Sequence, residues 1–488
     1  MADREPLHRG RQAARALGLL FLLGWSTGCA GHSARTLEAR HALDAGQPKK
    51  ALALYNEELD VKSGKDLPED TTGDNALLIL DRSMVLQQLE EFQSSSRDLE
   101  VSDKQVEMLD FERSALDDIG QYIFSDDTGP YRAPPYEKLL INTMNMVNYL
   151  ARHDLNGARV EARRLAIMQK YVRETENPAA AMIAPGSYLA GFAFERSGEA
   201  DQALRYYDEA LQYGEFPSLA EPIRRLREKS SFVSERIERL LAGESTTGSA
   251  SGGGGASRES TSQAARSGGA DTKTAGTAPE DNDDGDLLVI VQYGRIPAKE
   301  AKRVPIGLAL TFGALYLSDG TSAQANSLAA QGLVTWVNYP ELEEARRSVS
   351  TPSANLNGRY LILESALNVE QEARKAYEAA KGRIIAAAIT RTVTRVVAGT
   401  AAGAGAKAAS NDGLVGLLVS LGTQAALTVT DTPDTRSWAT LPARFTVSRA
   451  RIPAGRHMVE LRAQGATNRV VVDMKPGGWQ VVTLTVLR

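Results

Sequence analysis

The chain has 488 residues but only one cysteine, Cys29, and five histidines. A single cysteine closes no internal disulfide. His32, His41, His153 and His457 lie far apart in the chain, so a His/Cys metal centre lacks material. No metal and no cofactor are expected. Basic excess is also missing: 56 Lys and Arg face 61 Asp and Glu, for a net charge of -5 and a pI near 5.8. That excludes a general nucleic-acid binder, which needs a basic stripe. There is no Walker A loop, no His-Glu-x-x-His helix, no nucleophile elbow and no dinucleotide fingerprint. No catalytic residue is assigned, and no enzyme is expected. Past the first 28 residues, charge-free runs of spanning length are absent.

What is present begins around the cysteine. Arg4, Arg9, Arg11 and Arg15 precede an apolar run, "ALGLLFLLGW". The run is about half the length needed to span a bilayer. Ser26, Thr27 and Gly28 lead into Cys29. Charged start, short apolar core and small residues make an export signal. The stretch resembles a bacterial lipoprotein signal, with Ser26 where that family usually has Leu. The resemblance implies cleavage before Cys29, acylation of its thiol, and, with Ala30 following, sorting to the outer membrane facing the periplasm. A single cysteine suits an oxidising compartment, and two or more acyl chains anchor stably. Plain secretion and an uncleaved anchor are the other readings.

Residues 243–286 are rich in Gly, Ser, Thr and Ala and have no large apolar residue. Such a segment buries too little surface to offset chain entropy and reads as a disordered linker. It divides a helical half, 29–242, from an α+β half, 287–488, which the linker would let move independently.

The helical half repeats itself. Gly46, Ala51 and Tyr55 recur in fuller form as Gly198, Ala203, Tyr207 and Ala210, with Gly191 and Phe194 upstream. Weaker copies place Phe92, Ser95, Leu99 and Ser102, then Leu155, Ala158, Ala162 and Leu165. Small residues let two helices approach and the aromatic fills the gap beside them. The pattern resembles the tetratricopeptide (TPR) repeat. Ala51, Ser95, Ala158 and Ala203 are spaced irregularly, so insertions such as 125–138 must separate the units. One helix over 221–243 closes this α-solenoid.

In the other half, 287–294, 333–339 and 359–365 are β-type runs. A long helix is expected over 369–397, and four short strands with turn signals form a β-meander over 443–487. Segment 398–427 has a Gly399/Gly403 spacing seen in packed membrane helices, but Lys407, Asn411 and Asp412 interrupt it. A turn between two Ala-rich helices is the main reading and a membrane-active hairpin the other.

Candidate sites are few. Asn142, Asn145 and Asn148 make a polar helix stripe whose amides suit an extended peptide. Arg163 and Arg164 would add charge for a carboxylate. The alternative is that they tie the insertion to the repeat. Asp434, Arg436 and Trp438 read chiefly as a Trp anchor holding a loop on the sheet. "EDNDDGD" starts like a calcium loop but has Val291 where the closing glutamate belongs.

Together, Cys29 in its box, "PYEKLLINTMNMVNYLARHDLNGARVEARR" and "DTRSWATLPARFTVSRARIPAGRHMVEL" resemble an uncharacterised family of bacterial TPR-containing lipoproteins. The last stretch is also similar to PEGA-type β-modules. The resemblance implies an envelope location and helical repeats. The function expected is an outer-membrane-anchored periplasmic scaffold for envelope assembly or maintenance, with a protein partner in the TPR groove. A glycan-acting envelope enzyme and a subunit of a transport or secretion assembly are the rival readings.

Overall fold

In the computed structural model, the structure describes residues 31–111, 131, 133–174, 180–243, 283–344, 350–410 and 433–488. Cys29, the signal segment and nearly all of the expected linker lie outside them.

The first half is helical: α1 (His32–Arg35), α2 (Leu37–Asp44), α3 (Pro48–Glu58), α4 (Gly73–Gln88), α5 (Phe92–Phe111), α6 (Pro135–Ala151), α7 (Leu155–Glu174), α8 (Ile183–Arg196), α9 (Ala200–Tyr213), α10 (Ala220–Arg227) and α11 (Glu235–Leu241). Helices pair as α2/α3, α4/α5, α6/α7 and α8/α9, and each pair packs on the next. All four pairs turn in the same way. Gly46, Glu90, His153 and Gly198 have φ of 69°, 61°, 61° and 80°. At each turn the N–H of this residue donates to the carbonyl three back, and the next N–H donates to the carbonyl five back. Thus Gly46 bonds Leu43 and Gln47 bonds Ala42, while Gly198 bonds Glu195 and Glu199 bonds Phe194. This double bond closes the helix end and reverses the chain. Five residues past each turn stand Ala51, Ser95, Ala158 and Ala203, all fully buried.

Close approach is enforced by glycine. A Cβ on Gly191 would come within 2.4 Å of the Tyr207 ring, and one on Gly157 within 2.2 Å of the Tyr149 ring. Helix α6 begins with Pro135 at its first position, where a missing N–H costs nothing. The single closing helix expected over 221–243 is two helices. Ser234 ends the break between them by accepting from the Ile237 N–H at 3.2 Å, a cap that starts α11 afresh.

Among the described residues the second half holds ten strands: β1 (Gly285–Tyr293), β2 (Lys299–Pro305), β3 (Trp336–Leu342), β4 (Ser353–Leu356), β5 (Arg359–Leu361), β6 (Glu364–Asn368), β7 (Arg444–Ile452), β8 (Gly455–Ala463), β9 (Ala466–Met474) and β10 (Trp479–Val486). One sheet runs β10-β1-β7-β6 and another β5-β4-β8-β9. The four C-terminal strands form where expected, but not as a simple meander. β1 inserts between β10, which it pairs in parallel, and β7, which it pairs antiparallel. β8 pairs with β9 in the second sheet. The run 359–365 likewise splits between the two sheets.

Between the sheets Leu287, Val289, Val291 and Tyr293 pack against Val459, Leu461, Val472 and Met474. The opposite face of β1, with Leu288 and Ile290, joins the helical core together with Phe445, Val447 and Leu487.

A third piece, the arm, packs apart from these two cores. β2 and β3 form a hairpin, α12 (Ile306–Gly313) and α13 (Asp319–Ala330) connect them, and α14 (Val369–Ser410) lies alongside. Ile384, Ile385, Ile389 and Val393 of α14 meet Ile306, Ala309, Val337 and Tyr339 in a core of their own. The long helix runs past the expected end at 397.

The glycines give a sign test. Gly191→Ala is expected to lower unfolding free energy by roughly 1–3 kcal/mol through overpacking against Tyr207. Gly320→Ala, in open space on α13, is expected to raise it by up to about 1 kcal/mol. Urea denaturation of both variants reads the opposed signs.

Candidate functional site

The most elaborate chemistry lies where the helices meet the sheet. Helices α4 and α6 contact β10, and α8 contacts β6. Arg449 on β7 enters this seam fully enclosed. Its Nη1 and Nη2 reach Glu195 Oε2 at 2.8 Å and Oε1 at 2.6 Å, a bidentate pair. Nη2 also reaches Asp286 Oδ1 on β1 at 2.9 Å. The Tyr207 hydroxyl donates to Glu195 Oε2 at 2.6 Å, and the Phe192 ring lies 5.1 Å under the guanidinium. Arg196 pairs with Asp286, and Arg225 reaches both carboxylates at 3.3 and 3.4 Å. Burial alone would push the Glu195 carboxyl up; Arg449 and Tyr207 outweigh it and hold it below the usual range. Burial opposes the Arg449 charge too, yet its carboxylates keep it more firmly protonated than a free arginine. Tyr207 therefore has two tasks: filling the gap at Gly191 and orienting an ion pair across the seam.

A second contact is made by the strap 433–443. The Trp438 indole is fully buried, and its Nε1 donates to the Leu80 carbonyl of α4 at 3.1 Å. Its backbone N–H donates to Glu137 of α6 at 3.3 Å. Thr440 donates through N and Oγ1 to Asp81 Oδ1, both at 2.9 Å. Asp81 Oδ2 faces His32 Nε2 at 2.9 Å. Arg436 grips Asp434 at 2.8 and 3.0 Å and Asp74 of α4 at 3.2 Å. Asp434, Arg436 and Trp438 are thus the structural anchor expected, but they hold the strap in the helical half rather than on the sheet. Four helix residues, Asp74, Leu80, Asp81 and Glu137, supply acceptors that the sheet's paired backbone lacks.

The asparagine stripe is not an open groove. Asn142, Asn145 and Asn148 are all buried. Asn142 donates to Glu161 at 2.9 Å, and Glu161 also takes a hydrogen bond from Asn145. Asn148 donates to Ser95 Oγ at 2.8 Å and accepts from Gln87 Nε2 at 2.8 Å. An amide inside a helix needs partners on neighbouring helices, and here those partners are α4, α5 and α7. The chain's own sheet also covers α6, with Gln292 of β1 on Met144. Arg164 pairs with Glu161 at 3.3 Å and Asp103 at 3.7 Å. Arg163 alone of the five stands exposed, over the Phe194 ring at 5.9 Å. The packing residues Ala51, Tyr55, Ala158, Ala203, Tyr207 and Ala210 are all fully buried. Segment 398–427 falls on α14 up to Ser410 and lies outside the described residues beyond it.

One cleft of about 540 Å³ opens beside the seam, lined by His153, Asp154, Asn156, Arg159, Ser197 and Trp479. The His153 and Trp479 rings lie 4.5 Å apart. Arg159 is held by Glu199 at 2.7 Å and Asn156 at 2.9 Å. Asp154 Oδ1 caps α7 by accepting from the Gly157 N–H at 2.9 Å. The signal in the sequence was His153 itself, a bulky residue at a turn position that glycine fills in two of the four copies.

Among the described residues no three His, Cys, Asp or Glu side chains gather as a metal site, and no helix is long and apolar enough to cross a membrane. Compared with known proteins, the chain matches no family model, no curated protein and no solved structure.

Glu137 gives the seam a pH dependence. Burial pushes its carboxyl up from 4.5 to about 7, against the Tyr131 hydroxyl, Lys299 and the Trp438 N–H. The folded chain keeps a proton that the unfolded chain releases at lower pH. The stability this group contributes is complete below about pH 4.5 and is lost as pH rises through about 7. Urea midpoints are expected to fall from pH 5 to about 7 and to level off from there to 8.5, a decline that Glu137→Gln removes.

Proposed function

We propose that the chain is a lipid-anchored envelope protein, outer-membrane-held and facing the periplasm, whose TPR-like helical repeats act as a scaffold in envelope assembly or maintenance. The observation that carries this reading is the row of four helical hairpins with one turn geometry and one buried small residue apiece. Repeated hairpins of this kind stack into extended platforms that hold other polypeptides. Here the platform's first cargo is the chain's own sandwich. An external partner must therefore meet outward surfaces. On α7, Val160, Arg163 and Ile167 form such a stripe, with Ile167 72% exposed.

The start of the described chain is held on the body. Gly31 is seated against Thr435, whose Oγ1 would lie 3.0 Å from a Cβ placed there. His32 is buried on Asp81. Two residues, Ala30 and Gly31, separate Cys29 from His32, a reach of about 10 Å at most. An acylated Cys29 would hold the end of the body bearing His32, Asp81 and Thr435 directly at the bilayer surface, without a tether.

The test is the mass of the mature N-terminal peptide from a Gram-negative host, with fractionation of the envelope. A triacylated peptide beginning at Cys29 in the outer membrane, abolished by Cys29→Ser, is expected. An unmodified N-terminus in the soluble periplasm would remove the anchor and the envelope placement built on it.

A further inference from the structure

The arm carries an apolar face that its own core does not use. From Ile306 to Ser318 the chain has no charged residue. Ile306, Ala309 and Gly313 face inward, Gly313 against the Ala386 backbone of α14. Leu308, Phe312, Leu315 and Tyr316 face outward, at 47%, 50%, 92% and 49% exposure. Leu308 and Phe312, four apart, share one face of α12, and Leu315 and Tyr316 follow in the turn after Gly313. A leucine at 92% exposure beside three large neighbours is a contiguous patch rather than a scattered exposed residue.

Aromatic and cationic groups rim this face. The Arg383 guanidinium lies 5.8 Å over the Tyr316 ring, and Arg303 lies 5.7 Å over Trp336, itself 43% exposed. Beside Tyr316 a groove of about 700 Å³ runs along α14, floored by Ala386 and Ala387 and edged by Arg383, Arg391 and Arg395. Among the described residues no acidic side chain lines it, and Arg391 donates to the Asn338 carbonyl at 3.0 Å. Glu341 and Glu378, nearer the base of the arm, are engaged by Lys302 and Lys381. Apolar residues on one helix face, a Trp and a Tyr at the rim, and arginines behind them match the layers of a bilayer surface. Acyl carbon takes the leucines, the interface takes the amphipathic rings, and phosphate takes the guanidiniums.

We propose that α12 and the turn after it, with Leu308, Phe312, Leu315 and Tyr316, insert into the interfacial layer of an anionic phospholipid bilayer, with Arg303, beside Trp336, meeting lipid phosphate. The helix lies in the membrane plane and does not cross it. The inference deepens the anchored reading by giving the body a second point of attachment. Leu315 packs beside Gly382 through its neighbour Tyr316, thirteen residues along α14 from Val369, or about 20 Å from the sheet. Two separated contacts fix the body's orientation on the surface where an acyl anchor alone leaves it free to rotate.

The experiment uses the mature full chain in vesicles of phosphatidylethanolamine with 30% phosphatidylglycerol. A nitroxide is placed at Leu315→Cys, with Tyr360→Cys, on exposed strand β5, as the comparison site. Collision with oxygen and with a water-soluble nickel chelate is measured, and the N-terminal mass is determined on the same sample. The label at 315 is expected to become oxygen-accessible and several-fold protected from nickel, while 360 stays open to nickel. Phe312→Asp is expected to return 315 to water. Nickel access at 315 equal to that at 360, on an acylated and vesicle-bound chain, would overturn the inference and leave the anchor standing. Protection from both reagents would overturn it in favour of a protein contact, from a second copy or another part of the chain. An unacylated chain that still buries 315 in lipid would sustain the inference and overturn the anchor.

Discussion

Strand β1 is apolar on both faces and cannot be satisfied by one partner. All nine of its residues are buried. Its Leu287, Val289 and Val291 need the second sheet, and its Leu288 and Ile290 need the helices. Strands of this kind are normal where both sides of a sheet are covered. Most of the architecture follows from this. The helical hairpins supply the second cover, and β7 and β10 flank β1. The fold is one body although a long polar segment separates its halves in sequence.

Polar contacts set which arrangement of these layers is adopted. Apolar burial is non-directional, whereas the Arg449 pair with Glu195 and Asp286 requires β7, β1, α8 and α9 in one register. The strap does the same at the other end, where Trp438 and Thr440 read the Leu80 carbonyl and the Asp81 carboxylate. Such buried ionic groups add little net stability over apolar packing, but removing one partner strands the other in a dry site. Specifying the docked geometry is the role that the distances support.

The sequence conveyed local structure well and the docking poorly. The hairpin turns were legible because Gly46 and Gly198 mark positions that need positive φ, and the small residues five on mark close packing. The C-terminal strands were legible from alternation and turn residues. What was not legible was which strand pairs with which. The run at β1 announces burial on both faces but names no neighbour, since periodicity carries no partner identity. For the same reason Asn142, Asn145 and Asn148 read as ligand-binding amides or as structural ties. Only the positions of Glu161, Gln87 and Ser95, distant in sequence, decide between them. The exposed face of α12 was missed because an apolar run looks the same whether it is headed for a core or for a membrane.

The central claim is that helices and sheet form one body held by the seam at β1, Arg449 and Trp438. A specific protease site placed between residues 251 and 270, cut in the folded protein, tests it most directly. The account predicts that the two fragments co-elute from a sizing column at micromolar concentration and separate only on denaturation. Fragments that part under native conditions, each keeping its own secondary structure, would contradict it.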